Sequence, residues 1–96
     1  MEILVTYDVA TETAAGRRRL RKVADLCEAH GQRVQKSVFE CTLDAARLEE
    51  LRHGLAKVMN EEEDSLRIYR LQEPRERYVQ VVGRKPSHDL HDPLVV

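Results

Sequence analysis

The sequence predicts an α+β fold, a single small domain whose antiparallel sheet carries two amphipathic helices on one face. Three observations predict it. A length of 96 residues suits one domain with one hydrophobic core. Short runs rich in β-branched residues alternate with longer runs whose apolar residues recur at helical spacing. Glycine, proline or clusters of polar residues separate these runs, as is typical at the ends of helices and strands.

The first two elements are a strand and a helix. The strand is predicted over residues 1–9 and, because it is so apolar, at the centre of the sheet. The helix is predicted over residues 13–30, and Gly31 stands where a glycine commonly ends a helix. Its buried stripe is formed by four residues at helical spacing, Leu20, Val23, Ala24 and Cys27.

The middle of the chain is predicted to hold two strands and a second helix. Residues 33–43 would make one unusually long strand for so small a domain, so we predict two strands that meet near Lys36. Asp44 is a suitable N-cap for a helix that ends near Asn60. The apolar stripe of that helix comprises Leu48, Leu51, Leu55 and Val58.

The last part of the domain is predicted to be strands at residues 66–71 and 78–82, joined by a turn around Pro74. The acidic run 61–64 before them is predicted to be a solvated connection. The element order matches a ferredoxin-like βαββαβ sandwich, with the strand at 78–82 extending its antiparallel sheet.

The domain boundary is predicted near the end of the last strand, with residues 1–83 forming the domain and 84–96 a C-terminal tail. The tail ends in Leu94, Val95 and Val96, which would be unusual in solvent. An apolar terminus of this kind can add a strand to the sheet of a neighbouring chain.

Composition and charge exclude several classes of function. Lysine and arginine (16) nearly balance aspartate and glutamate (17), so any case for nucleic-acid binding depends on local clusters of charge. No apolar run approaches the roughly 20 residues of a membrane span, and no signal peptide is recognisable. Cys27 and Cys41 lie among apolar residues, as reduced core thiols do. We therefore expect a cytoplasmic protein with no membrane association.

Asp8, at the end of the first strand, is the candidate metal ligand. Magnesium and similar hard cations prefer carboxylate oxygens, usually one or two together with water and substrate phosphate. The nearest second carboxylate in the sequence, Glu12, lies in a loop. A two-fold dimer that brings two copies of Asp8 together would supply the missing ligand. The alternative is that Asp8 caps the turn after the strand.

A cationic run at the start of the first helix is the candidate phosphate-binding element. Its members are Arg17, Arg18, Arg19, Arg21 and Lys22. Cations are mildly unfavourable at a helix N-terminus, so a sequence that places them there favours an anionic ligand. The alternative is a solvated helix face that pairs with nearby acids.

Four residues of the tail could be drawn as a metal cluster, namely His88, Asp89, His91 and Asp92. Because two prolines flank them in a tail, a polar linker is the alternative interpretation. Elsewhere the sequence contains no glycine-rich phosphate loop and no hydroxyl nucleophile paired with a base.

Three stretches of this sequence together resemble the small CRISPR-associated adaptation endonuclease family. They are Tyr7-Asp8, the run from Gly16 to Leu20, and the run from Arg33 to Cys41, which is the most specific of the three. The resemblance covers nearly the whole chain. It implies a ferredoxin-like protomer in a homodimer that exchanges tails or late strands, with Asp8 of both protomers serving a divalent metal such as Mg²⁺.

The resemblance also implies an activity and partners. The activity is metal-dependent cleavage of phosphodiester bonds in RNA or DNA during spacer acquisition, and the partners are nucleic acid and a larger CRISPR-associated integrase. Residues matching family positions linked to activity or substrate contact are Tyr7, Arg17, Arg19, Arg33, Ser37 and Phe39. The alternative is a non-catalytic scaffold that holds DNA and bridges integrase dimers. A third hypothesis is that the chain is a ferredoxin-like regulatory domain that binds a small ligand.

Overall fold

The ferredoxin-like fold is confirmed in the computed structural model, which describes residues 1–84. The strands are β1 (Glu2–Asp8), β2 (Gln32–Gln35), β3 (Val38–Thr42) and β4 (Ser65–Leu71). The helices are α1 (Ala14–His30), α2 (Ala45–Val58) and the short α3 (Arg75–Tyr78). The sheet has the strand order β2-β3-β1-β4, and every neighbouring pair is antiparallel.

β1 is central, as predicted, and the alternation of its side chains divides the sheet into two faces. Ile3, Val5 and Tyr7 are buried on the face that the helices cover. The intervening residues, from Glu2 to Asp8, lie on the opposite face, which we call the open face. Asp8 therefore stands at one end of the open face, where it pairs across the sheet with Ser65.

Both main helices begin at side-chain caps. The Thr13 hydroxyl accepts a hydrogen bond from the Gly16 amide at 3.0 Å, and the Asp44 carboxylate accepts one from the Arg47 amide at 2.8 Å. The predicted N-cap at Asp44 is thus confirmed. The helices pack on the sheet through the predicted stripes, and their fully buried members are Val23, Cys27, Leu51 and Leu55.

Residues 33–43 contain two strands, as predicted, and the turn between β2 and β3 is at Lys36 and Ser37. The register of the pair shifts between Arg33 and Gln35, so the edge strand β2 is irregular. Cys41 and Cys27 are free and buried in the core, as predicted. Burial raises the pKa of Cys27 to about 12 and that of Cys41 to about 11, so both thiols stay protonated at neutral pH.

The predicted strand at residues 78–82 is wrong within this chain, since the described residues form the short helix α3 and then no regular element. The guanidinium of Arg75 lies 3.1 Å from the Glu2 carboxylate and 3.8 Å from that of Glu40. These pairs connect α3 to β1 and β3, and the chain described after α3 does not run back along β4. The outer edge of β4 consequently has no paired strand among residues 1–84.

The predicted boundary between domain and tail near residue 83 stays a prediction. The tail residues named above, from His88 to Val96, lie outside the described part of the chain. Across residues 1–84, no helix has the length and apolar character that crossing a membrane requires.

Candidate metal and nucleic-acid site

The Asp8 carboxylate is exposed at the end of β1 and forms no ion pair within residues 1–84. A turn-capping aspartate would accept a hydrogen bond from the amide two residues later, which is that of Ala10. That amide instead donates to Asp64 at 3.0 Å. The capping interpretation is therefore not supported, and the Asp8 oxygens are free to bind a cation.

One Asp8 carboxylate is only part of a metal site. No group of three or more potential ligand side chains lies together anywhere in residues 1–84. A hard cation accepts one or two carboxylates when water and phosphate complete its shell. The donor chemistry thus fits magnesium, but within the described chain the number of donors fits only half a site.

The predicted solvated connection at 61–64 is confirmed for its first three residues, which are exposed in a turn, and is wrong for Asp64. The residue is only 8% exposed and is buried beside the start of β4. Its carboxylate accepts hydrogen bonds at 3.0 Å from the amides of both Ala10 and Asn60. Arg19 completes the set, donating from Nε at 2.8 Å and from Nη2 at 3.2 Å. We call these four residues the Asp64 network.

The Asp64 network also predicts how stability depends on pH. Hydrogen bonds from Arg19 lower the pKa of Asp64 to about 2, outweighing the opposing effect of burial. The contribution is present above the unfolded-state pKa of about 4 and is lost as pH falls towards 2. Its size is about 2 kcal/mol, since one pKa unit corresponds to about 1.4 kcal/mol. Urea unfolding should show this loss between pH 5 and pH 2. The Asp64→Asn variant should vary less over that range, and equal pH dependence of the two proteins would contradict the assignment.

Arg19, which the resemblance linked to activity or substrate contact, has an intramolecular partner in the structure. Its side chain is 16% exposed, and two of its nitrogens donate to Asp64. A substrate phosphate could then reach only the remaining guanidinium nitrogen, Nη1, unless the bidentate ion pair with Asp64 broke. Nothing in the sequence could have revealed this pairing, since Asp64 follows three other acidic residues and only the fold brings it to Arg19.

Four of the other predicted residues are brought together where β2 and β3 meet the end of β1. The rings of Tyr7 and Phe39 stack with centroids 6.2 Å apart, and the guanidinium of Arg33 lies 5.1 Å from the Phe39 centroid. The Tyr7 amide donates to the carbonyl of Ser37 at 3.1 Å. The run from Arg33 to Cys41 therefore contacts Tyr7 twice, through the ring of Phe39 and through the backbone carbonyl of Ser37.

Burial limits what this group offers a ligand. Phe39 is 0% exposed and Tyr7 is 6% exposed, so neither ring has surface for direct contact with nucleic acid. We correct that expectation for both residues, because alternation along the strands turns them towards the helices. Burial also raises the pKa of the Tyr7 hydroxyl. Arg33 keeps 40% of its side chain exposed and lies 3.6 Å from Glu28.

Arg17 is one of the predicted phosphate-binding residues that remain exposed to solvent. It is exposed in the first turn of α1 and donates to the Thr11 carbonyl at 3.1 Å. That bond holds the side chain over the loop that follows Asp8. Ser37 is half-buried, and it contacts Tyr7 through its backbone carbonyl, which accepts the hydrogen bond from the Tyr7 amide.

Three cationic side chains that the described chain leaves without ion pairs lie together between α1 and α2, and one of them, Lys57 of α2, was not singled out from the sequence. A cleft of about 290 Å³ between α1 and α2 is lined by Arg19, which is paired with Asp64, and by three further cations, Arg18, Lys22 and Lys57. None of these three side chains forms an ion pair in the part of the chain described. We call this feature the cationic cleft. Lys57 could not be placed there from sequence, because the packing of the two helices brings it to Arg18.

Comparison with known proteins yields a family and close relatives. The family model described as "CRISPR associated protein Cas2" matches residues 1–79. The chain is 55% identical over 96 residues to "CRISPR-associated endoribonuclease Cas2 1" of Moorella thermoacetica, and the match covers 100% of both chains. It is 52% identical to "CRISPR-associated endonuclease Cas2" of Halalkalibacterium halodurans, over 99% of each.

Solved structures show the same similarity. A crystal structure of Streptococcus pyogenes Cas2 superposes with a TM-score of 0.78 at 51% identity, covering 86% of this chain and 100% of the other. A hypothetical protein from Thermus thermophilus superposes with a TM-score of 0.74 at 36% identity, covering 88% and 93% respectively.

Proposed function

The chain belongs to the family of CRISPR-associated protein Cas2, and from that premise we propose that it is a divalent-metal-dependent endonuclease that acts on RNA or DNA in spacer acquisition. Membership confirms the resemblance found in the sequence. Relatives at 55% and 52% identity bear the names endoribonuclease and endonuclease. The single observation in this chain that supports the activity is the exposed Asp8 carboxylate, whose turn-capping role is taken by Asp64.

A homodimer would complete the site, and the open face of the sheet supports it. Tyr69 on that face is 42% exposed, and Leu4, Val38 and Leu71 beside it are only partly covered. The outer edge of β4 can accept a further strand, and the exposed Val81 and Val82 lie in the segment that could provide one. Because Asp8 stands at the end of the same face, a two-fold axis nearby would bring two copies together.

The chemistry follows from this arrangement. A divalent cation bound there would polarise a phosphate and lower the pKa of a bound water. The chain itself would supply the Asp8 oxygens and the exposed guanidinium of Arg17 near the same loop. Arg33 pairs with Phe39 across the β2–β3 hairpin and lies on the helix-covered face, so it would contact only a phosphate that passes the β2 edge of the sheet.

A cleavage assay tests the proposal. Single-stranded RNA and duplex DNA are incubated with the protein and Mg²⁺ or Mn²⁺, and parallel reactions contain EDTA. We expect cleavage of at least one substrate that requires the metal. Cleavage unaffected by EDTA, or none of either substrate with either metal, would contradict the proposal.

The cationic cleft favours a second candidate function, a DNA-binding scaffold that bridges dimers of a larger CRISPR-associated integrase. The cleft lies between the helices, on the side of the sheet opposite the open face. A protein could therefore hold a polyanion there without placing it at Asp8. This function needs no cleavage, so nucleic-acid binding that survives loss of Asp8 would distinguish it.

Salt dependence tests the cleft. A triple variant with glutamine at Arg18, Lys22 and Lys57 should bind duplex DNA more weakly. The slope of log affinity against log salt should shrink by about 1 for each residue that contacts a phosphate. The control removes three exposed arginines elsewhere, Arg47, Arg70 and Arg77. Equal losses of slope in both variants would contradict a specific role for the cleft.

A further inference from the structure

We infer that Arg19 and Asp64 are positioning residues that fix the backbone on both sides of Asp8. The inference rests on the proposed function of Asp8 as the metal-binding carboxylate. It assigns Arg19 a role other than phosphate contact and gives Asp64, which no sequence pattern singled out, a part in the site.

The Asp64 network joins three separate segments of the chain. Arg19 belongs to α1, Ala10 to the loop after β1, and Asn60 to the loop after α2. Both carboxylate oxygens of Asp64 accept two of these hydrogen bonds each, so none of the segments can shift without losing a bond to a charged group. Such bonds are stronger than those between neutral groups.

The network reaches Asp8 from two directions. Ala10, whose amide donates to Asp64, follows Asp8 by two residues. Ser65, which follows Asp64 directly, is the cross-strand partner of Asp8 in the pairing of β1 with β4. One buried carboxylate therefore holds the chain after Asp8 and the strand beside it. Among residues 1–84 the Asp8 side chain has no ion-pair partner, while the backbone on both sides of it is anchored.

The first turn of α1 adds a steric constraint on the same loop. Gly16 is buried, and a Cβ atom at that position would collide with the carbonyl oxygen of Ala10 and lie 3.0 Å from its carbonyl carbon. The helix can approach the loop this closely only because Gly16 has no side chain. Arg19, one turn later on the helix, then reaches Asp64.

Precise placement matters because a shared ion needs two carboxylates at defined positions. Residues that orient metal ligands without touching the metal commonly change affinity or activity by about 10–100-fold when replaced. Arginine suits this role because its planar fork binds both carboxylate oxygens, whereas a lysine ammonium acts as a point charge.

The experiment compares Arg19→Ala and Asp64→Asn with a matched control, Arg52→Ala. Arg52 also pairs with a carboxylate through two nitrogens, but with Glu49 on the exposed face of α2. Mn²⁺ affinity is measured from the signal of the free ion by electron paramagnetic resonance, at a temperature where circular dichroism shows each variant folded. Steady-state kcat and KM are measured on the same samples.

We expect Mn²⁺ affinity to fall about 10–100-fold and kcat to fall with little change in KM for both network variants. The Arg52→Ala control should match the wild type. Should Arg19→Ala fail to fold, Arg19→Lys replaces it. A several-fold loss of Mn²⁺ affinity is then expected, because a lysine cannot bind both oxygens of Asp64 in the way that the guanidinium does.

Folded network variants with wild-type Mn²⁺ affinity and kcat would overturn the inference, since the network would then serve stability alone. That failure differs from failure of the proposed function. If Asp8 were not a metal ligand, the Asp8→Asn variant itself would bind Mn²⁺ and cleave as the wild type does.

Discussion

Replacement of Asp8 by asparagine is expected to abolish metal-dependent cleavage while leaving the fold and nucleic-acid binding intact. The loss should exceed about 100-fold, which is the upper range for residues that merely orient a metal ligand. The asparagine keeps the size of the side chain but removes the charge that a hard cation requires. Because Asp8 is exposed and forms no ion pair within residues 1–84, the melting temperature should change little.

The matched control is Glu12→Gln, which removes the nearest other carboxylate in the sequence, an exposed residue of the same loop. It should cleave at the wild-type rate. Cleavage by Asp8→Asn at the rate of the control would show that the metal assignment is wrong. Loss of cleavage together with intact spacer insertion would instead favour the scaffold function.

Phe39→Ala is expected to cause the largest loss of stability, about 3–5 kcal/mol, as is typical when a fully buried phenylalanine is truncated. The side chain is 0% exposed, stacks on Tyr7 and lies beneath the guanidinium of Arg33. A small domain is stable by only about 5–15 kcal/mol, so much of that margin would be lost. Urea unfolding at a fixed protein concentration measures the change.

Phe39→Leu separates this structural role from direct contact with a substrate. Leucine keeps most of the buried volume, so we expect a loss of about 1–2 kcal/mol and a folded protein. Its affinity for nucleic acid should then equal that of the wild type. A folded Phe39→Leu protein that binds at least tenfold more weakly would show that the ring contributes to binding, contrary to its burial in the core.

Most of the fold was predictable because local patterns determine it. The periodicity around Leu20 and Leu51 placed both main helices, and the length of the segment 33–43 placed the β2–β3 hairpin. The strand predicted at 78–82 does not form within the single chain, where α3 occupies 75–78 and Arg75 pairs with two glutamates far from it in sequence. Ion pairs of that kind leave no periodic signal in a sequence.

The candidate site was only partly predictable, for the same reason. Asp8 could be singled out because a carboxylate at the end of an apolar strand suits a hard cation. The pairing of Arg19 with Asp64 joins residues 45 positions apart, and it depends on how α1 packs against the loop before β4. The burial of Phe39 follows from strand register, which fixes the face on which each side chain lies.

The central claim is that two chains meet so that their Asp8 carboxylates share one cation, and the stoichiometry of Mn²⁺ binding tests it most directly. Titration of the protein at a concentration where sedimentation shows a dimer should give one Mn²⁺ for every two chains. The Asp8→Asn protein, still dimeric, should bind none at that site. One Mn²⁺ for each chain of a monomer, or unchanged binding without Asp8, would contradict the claim.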